Sequence, residues 1–310
     1  MGTRLEEIGG RLRAYRLGMN LSALNVAERI GISRAAVYRL EKGELVKIDT
    51  LEKIAELLEV SLPSLLGVGV EYYSNAIAFF ERMRQIEQNV YHVSGNFSPF
   101  SFLLVSDAYM EHLRDMLVEA IPAGAHDRKN TVQYIDKVLE ILQERRVAAA
   151  RKRTPVASIV GAQDVERFLR IGLVGRFGLP AAIQAERRAA ARAEVERLVG
   201  LFRRPPLGVQ LGVVEDMPPT QTFQILETRD GVAVTLSPYR LGDQPNVSSG
   251  IAMITSAPEA VRLFKDNLNA QWERAHKGES GAEILRRVLE RTADERASPP
   301  PRLEPGASPW

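Results

Sequence analysis

Apolar and polar positions change texture twice along the chain. From Leu5 to Leu66 apolar residues recur every three or four positions in five short bursts, the period of short amphipathic helices. Leu5, Ile8, Leu12 and Tyr15 form one stripe that ends near Gly18. Ser22 is placed to cap a second helix running to Ile30, its hydroxyl accepting from first-turn amides. Val26, Ala27 and Ile30 face inward on that helix, and Gly31 follows where the chain must turn left-handed. Ser33 opens a third helix, Arg34 to Lys42, with Val37 and Leu40 inward and Arg34, Ala35, Tyr38 and Arg39 outward. Asp49 with Glu52 three residues on reads as a capping box. It starts a fourth helix carrying Leu51, Ile54, Ala55 and Leu58, and Ser61-Leu62-Pro63 starts a fifth.

Beyond Gly67-Val68-Gly69 the spacing predicts one helix from Asn75 to Val93. The apolar run within Ser98 to Ser106 reads as a strand or a buried turn. Helices follow at Asp107–Glu119 and Asp127–Lys152, separated by Pro122 and Gly124. After Thr154-Pro155 short β-like runs enter: Val156–Val160, Leu207–Val214, Thr222–Thr228, Val232–Ser237 and Ile251–Thr255. Asp230-Gly231 between two of them is a hairpin signal. Helical stretches accompany them at Asp164–Ile171, Pro180–Phe202, Pro258–His276 and Ala282–Thr292. The pattern predicts a mainly α protein with a C-terminal α/β domain. Its parts are a five-helix domain at 1–67, a helical linker or dimerisation region at 70–153 and a mixed-sheet effector-binding domain at 154–296. A Pro-rich disordered tail at 297–310 completes it.

Composition narrows the chemistry. With 310 residues and a net charge of +2, any nucleic-acid contact must come from local cations and not from bulk charge. The absence of cysteine removes disulfides, thiolate nucleophiles and cysteine-ligated metals. The charged N-terminus and the lack of a long apolar run argue for a cytoplasmic protein with no membrane span. His92, His112, His126 and His276 are scattered, without a metal-binding spacing. Gly172-x-x-Gly175-x-x-Gly178 lacks the Lys-Ser/Thr of a phosphate loop and reads as a flexible turn, and no Gly-x-Ser-x-Gly elbow occurs. No catalytic residue, metal or cofactor is therefore expected, and the chain reads as a binder, not an enzyme.

A tight Gly turn followed by a helix that is apolar inside and polar outside suits the major groove, which admits one helix. On this reading Ser33, Arg34, Ala35, Tyr38 and Arg39 face DNA, Ser22 sits at the entry of the preceding helix, and Arg13, Arg16 and Arg29 lie beside phosphates. The motifs Leu12-Arg13-x-x-Arg16, Ala27-Glu28-Arg29-Ile30-Gly31-Ile32-Ser33-Arg34, Leu40-Glu41-Lys42-Gly43 and Thr50-Leu51-x-x-Ile54-Ala55 resemble the Cro/CI family, also called xenobiotic-response-element regulators. That resemblance implies a lambda-repressor-like domain whose third helix reads double-stranded operator DNA, with Arg16 paired to Glu41 close to a phosphate. Ala23-Leu24-Asn25 replaces the family's usual polar entry to the second helix, and Leu24 is placed in the core.

The remaining four-fifths point to a homodimer that senses a small-molecule effector. The alternative is an antitoxin-like module that binds a protein partner. Ser237, Arg240 and Asn246 are the candidate effector-binding residues, on loops at a sheet edge. The segment Leu207–Gly278 resembles the phospholipase-D-like effector domains of some bacterial regulators, but without their catalytic His-x-Lys pair, since only His276-Lys277 is present. Tyr72-Tyr73 with Phe79-Phe80 marks a core or interface cluster. Arg145-Arg146 and Arg151-Lys152-Arg153 mark a basic helix end.

Overall fold

A computed structural model describes residues 5–44, 47–216 and 221–297 of the chain. Five helices open it: α1 (Leu5–Gly18), α2 (Ala23–Ile30), α3 (Arg34–Glu41), α4 (Ile48–Leu57) and α5 (Leu62–Leu66). Then come β1 (Val70–Tyr73), α6 (Ala76–Glu87), β2 (Val90–Asn96), a 3-10 turn at Phe102–Leu104, α7 (Asp107–Glu119) and α8 (Arg128–Lys152). The second half holds β3 (Val156–Gly161), α9 (Ala162–Ile171), α10 (Ala181–Arg203), β4 (Val209–Val214), β5 (Phe223–Thr228), β6 (Gly231–Leu236), β7 (Ala252–Thr255), α11 (Pro258–Arg274) and α12 (Gly278–Ala297).

Among the described residues the strands form one seven-stranded mixed sheet in the order β1-β7-β6-β5-β2-β3-β4. Strands β2, β3 and β4 run parallel, and the other pairings are antiparallel. The α/β character expected of the C-terminal half is present, but the sheet crosses the expected boundary at residue 153. Region 70–153 supplies β1, at one edge, and β2, next to the middle, so it is not a helical linker. The helix expected over Asn75–Val93 stops at Glu87 and the chain re-enters as β2. The hairpin β5–β6 forms one residue earlier than Asp230-Gly231 suggests. Thr228 pairs with Gly231, leaving Arg229-Asp230 as its loop. Tail residues 298–310, expected to be disordered, lie outside the described residues.

Strands β5 and β6 present Phe223, Ile225 and Val234 to α11, where they pack with Ile159, Val214 and Leu268. Helices α6, α7, α8, α9, α10 and α12 bury the opposite face in a core that also takes in Tyr73, Phe79, Phe80 and Tyr239. Their rings lie 5.3–6.2 Å apart, so the aromatic cluster is core apart from Tyr72, which is half exposed. The same core continues without a break into the five-helix head through Ile8, Leu12, Tyr15, Leu40 and Ile54. Tyr15 of α1 stacks on Tyr73 of β1 at 4.8 Å.

An ionic clasp locks this junction. Glu71 of β1 points into the core with 5% exposure. Arg11 of α1 donates to it at 2.6 Å, Arg82 of α6 at 3.0 and 3.2 Å, and the Tyr73 hydroxyl at 2.5 Å. Gly67, which has a left-handed φ of 70°, leaves the space that the Arg11 guanidinium fills; a Cβ there would lie 2.1 Å from it. Beside the clasp, Glu81 of α6 takes two 2.8 Å bonds from Arg84 and stands 3.3 Å from Arg13 of α1. At Gly18 the helices α1 and α6 approach so closely that a Cβ would meet the Ala78 methyl at 2.6 Å.

Burial alone would raise the Glu71 carboxyl, but Arg82 and Arg11 outweigh it and hold it at about 2. A folded value below the unfolded one stabilises the protein above the ordinary carboxylate range, and this stabilisation is lost as pH falls toward 2. Glu71→Gln, which leaves the buried Arg82 guanidinium without its carboxylate partner and Arg11 with only the part-exposed Glu7, is expected to cost roughly 3–5 kcal/mol at neutral pH. Urea unfolding between about pH 5 and 3 should then depend less on pH in the variant than in the wild type. Equal pH slopes in the two proteins would contradict the clasp.

Candidate nucleic-acid interface

Local chemistry sets the geometry of α2 and α3. The Ser22 hydroxyl accepts from the Asn25 amide at 3.0 Å, and the Asn25 side-chain oxygen accepts from the Ser22 amide at 2.9 Å, a reciprocal cap. Gly31 closes α2 at φ 75°, ψ 37°, with its amide on the Ala27 carbonyl. The Ser33 hydroxyl accepts from the Ala36 amide at 3.1 Å and starts α3. A small core of Ala23, Val26, Ala27 and Val37, ringed by Leu21, Ile30, Ile32 and Leu57, holds the two helices together. Asp49 does not cap α4: that helix starts one residue earlier, after Lys47, with no side-chain cap, and Asp49 lies in its first turn.

With Val37 and Leu40 buried, the helical period turns Ser33, Arg34, Ala35, Tyr38 and Arg39 to solvent. The Arg34 guanidinium lies 5.4 Å from the centre of the Tyr38 ring and donates to its hydroxyl at 3.1 Å. Arg39 is 61% exposed, with Glu44 3.6 Å away. Arg29, Lys42 and Lys47 are exposed near this face. Sequence reasoning left out Lys42 and Lys47, whose only signal is their position at helix ends.

Two arginines expected beside phosphates are otherwise engaged. Arg16 is 7% exposed, donates to Glu41 at 2.5 and 3.1 Å and gives its remaining terminal nitrogen to the Leu21 carbonyl at 2.8 Å. Its pairing with Glu41 is as expected, but the side chain ties α1 to α3 from inside. Arg13 is half exposed and is drawn to Glu81 on α6. Leu24, expected in the core, is 48% exposed on α2, because Ala23, Val26 and Ala27 already fill the narrow space against α3.

The expected effector loop is built from turns. The Ser237 hydroxyl accepts from the Tyr239 amide at 3.1 Å, and the Asn246 side chain spans the Ser248 and Ser249 amides and the Ser249 carbonyl. Arg240 pairs in backbone with Asn246, and its side chain lies 3.4 Å from the fully buried Asp243, which also holds Arg167 at 3.0 Å. Asp164 completes this cluster. Burial raises its carboxyl and neighbouring Asp243 adds to that, while a bond from Ser98 and the charge of Arg167 pull the other way. Of the basic helix end, Arg145 is bound to Glu87, Arg146 to Asp107, and Lys152 to the Gln88 and Val90 carbonyls, while Arg151 and Arg153 are exposed. Among the described residues no three His, Asp or Glu side chains converge on a metal-sized site, and no helix is long and apolar enough to cross a membrane.

Residues 12–65 match the helix-turn-helix family, and no curated protein matches the chain. The solved structure of TrmBL2, described as an archaeal chromatin protein with a novel mode of DNA binding, aligns at a TM-score of 0.30 and 12% identity. That alignment covers 74% of this chain and 60% of that one, so it spans less than two thirds of TrmBL2, and at this similarity it carries no weight for fold or function. The capped α2–α3 pair, its Gly31 turn and the family match agree: residues 12–65 form a helix-turn-helix domain similar to those of the Cro/CI family.

Proposed function

We propose that the protein is a non-catalytic, sequence-specific transcription regulator. In this reading it binds double-stranded operator DNA as a homodimer and changes its DNA affinity when a small molecule occupies the sheet-bearing part of the chain. The exposed α3 face carries the reading. Ser33, Arg34, Ala35, Tyr38 and Arg39 stand on one side of a helix whose other side is fixed by Val37 and Leu40. A helix presented this way fits the major groove, where arginine reads guanine through two parallel bonds. The ring of Tyr38 supports the Arg34 guanidinium and limits its rotamers, so less freedom is lost on contact with a base. Arg29, Lys42 and Lys47 are exposed cations available to meet phosphates, while Arg16 is enclosed and the half-exposed Arg13 is drawn to Glu81. The Ser22 hydroxyl serves the α2 cap, which makes its role one of positioning.

Two substitutions separate reading from scaffolding. Arg34→Ala is expected to weaken binding to a selected operator by roughly 1–3 kcal/mol and to relax preference at one base pair, with thermal stability unchanged. Arg16→Gln, which strands the buried Glu41 carboxylate, should lower the melting temperature and weaken binding to all DNA alike. Equal loss on random and selected DNA for Arg34→Ala, measured by fluorescence anisotropy, would make Arg34 a phosphate contact and sink the assignment.

The dimer follows from the fact that one such domain covers only one half-site, so two heads are placed about one helical turn apart. Light scattering of the full chain should give twice the chain mass at micromolar concentration, in the presence of operator at the least. A monomer on and off DNA would contradict it.

A further inference from the structure

A cavity of about 260 Å³ opens between the end of α6, strand β2 and the last turns of α8. Val90, Val93 and Leu103 line its apolar side, with Ala149 on one wall and Arg84 and Lys152 at its charged side. Its lining carries the cations Arg84, Arg145 and Lys152 and the carboxylates Glu87 and Glu144. Glu87 is neutralised by two bonds from Arg145, at 2.8 and 2.7 Å. Lys152 gives two bonds to the Gln88 and Val90 carbonyls, and an ammonium has three N–H donors. Arg84 commits its Nε and one terminal nitrogen to Glu81, with the half-exposed Glu144 3.5 Å from its Nε, and its other terminal nitrogen carries no bond to either carboxylate. The chemistry offered to a ligand is therefore an apolar pocket beside unfilled N–H donors on two cations, Arg84 and Lys152.

That combination fits a single negative charge on an apolar body. The volume lies just below the roughly 300–1,000 Å³ of ordinary small-molecule sites, too small for a nucleotide. The position also matters, because α6 is the helix that grips the DNA-binding head. Arg84 holds Glu81, Glu81 draws Arg13 of α1, and Arg82 belongs to the clasp around Glu71. An anion that shares the Arg84 guanidinium weakens its hold on Glu81 and so changes the charge facing Arg13.

We propose that this cleft binds a small carboxylic acid with an apolar tail, and that α6 passes its occupancy to the helix-turn-helix head. The proposal deepens the small-molecule reading given above and rests on it. A ligand carboxylate meets Arg84 and Lys152 while its tail covers Val90, Val93 and Leu103.

Isothermal titration of the full-length protein without DNA tests the site. Octanoate or phenylacetate should give saturable heat with one site per chain. Octanol and inorganic phosphate, which lack the charge or the tail, should bind at least about tenfold more weakly, the ratio expected for a charge-assisted bond. Arg84→Gln and Lys152→Gln, both at partly or fully exposed positions, should each weaken the acid about tenfold, and Ala149→Leu should block it. The site is overturned if neither acid binds, if octanol or phosphate binds as well as the acids, or if both charge-removing variants bind normally. Operator affinity is then measured with and without the bound acid, where a change of about fivefold or more is expected. Arg13→Gln should keep acid binding and lose that change; no change in the wild type would overturn the relay. DNA binding in the absence of acid is read separately, so a defect in the helix-turn-helix reading shows itself independently of the cleft.

Discussion

The architecture depends on one buried carboxylate. Glu71 sits on the first strand of the sheet and is reached by Arg11 from the first helix of the head and by Arg82 from the helix behind the strand. A carboxylate so far from water is tolerable only when its lone pairs are filled and its charge is matched. Three side chains from three elements do this, and each would be costly to bury without the others. The head and the sheet are thereby made to fold in one relative orientation, which apolar packing alone would fix less strictly.

The surrounding contacts follow from that constraint. With α1 drawn down onto α6, glycine at position 18 allows the backbone approach, the Tyr15 and Tyr73 rings stack, and one apolar core runs from the head into the sheet. The α2–α3 pair is held differently. It has its own small core and is tied to α1 through Arg16 and Glu41, so its outer face stays free of the rest of the protein. The arrangement leaves α3 exposed on a head that is otherwise anchored.

Local signals were legible in the sequence, and long-range ones were not. Ser22, Ser33 and Gly31 act on amides a few residues away, so the helix-turn-helix could be read residue by residue. The limits of α7 were found as they stand, and those of α8 to within one residue, for the same reason. Strand β1 escaped because its inward position holds Glu71, which breaks the alternation that marks a half-buried strand and is explained by arginines on two other elements, Arg11 sixty positions upstream and Arg82 eleven positions downstream. Strand β2 escaped because Ser94, Gly95 and Asn96 are buried in it despite being small or polar. Arg13 and Arg16 read alike as surface cations. Only the fold shows that one is pulled to α6 and the other is enclosed. The turns at Ser237 and Asn246 could not be told from a ligand loop, because these side chains have the same chemistry in either role.

Through the clasp and the shared core the head and the sheet are held as one body. Backbone amide relaxation tests this most directly. Residues of α1 to α5 and residues of the sheet should report a single rotational correlation time, and Glu71→Gln should split it by freeing the head. A wild-type head that tumbles faster than the sheet would contradict the account.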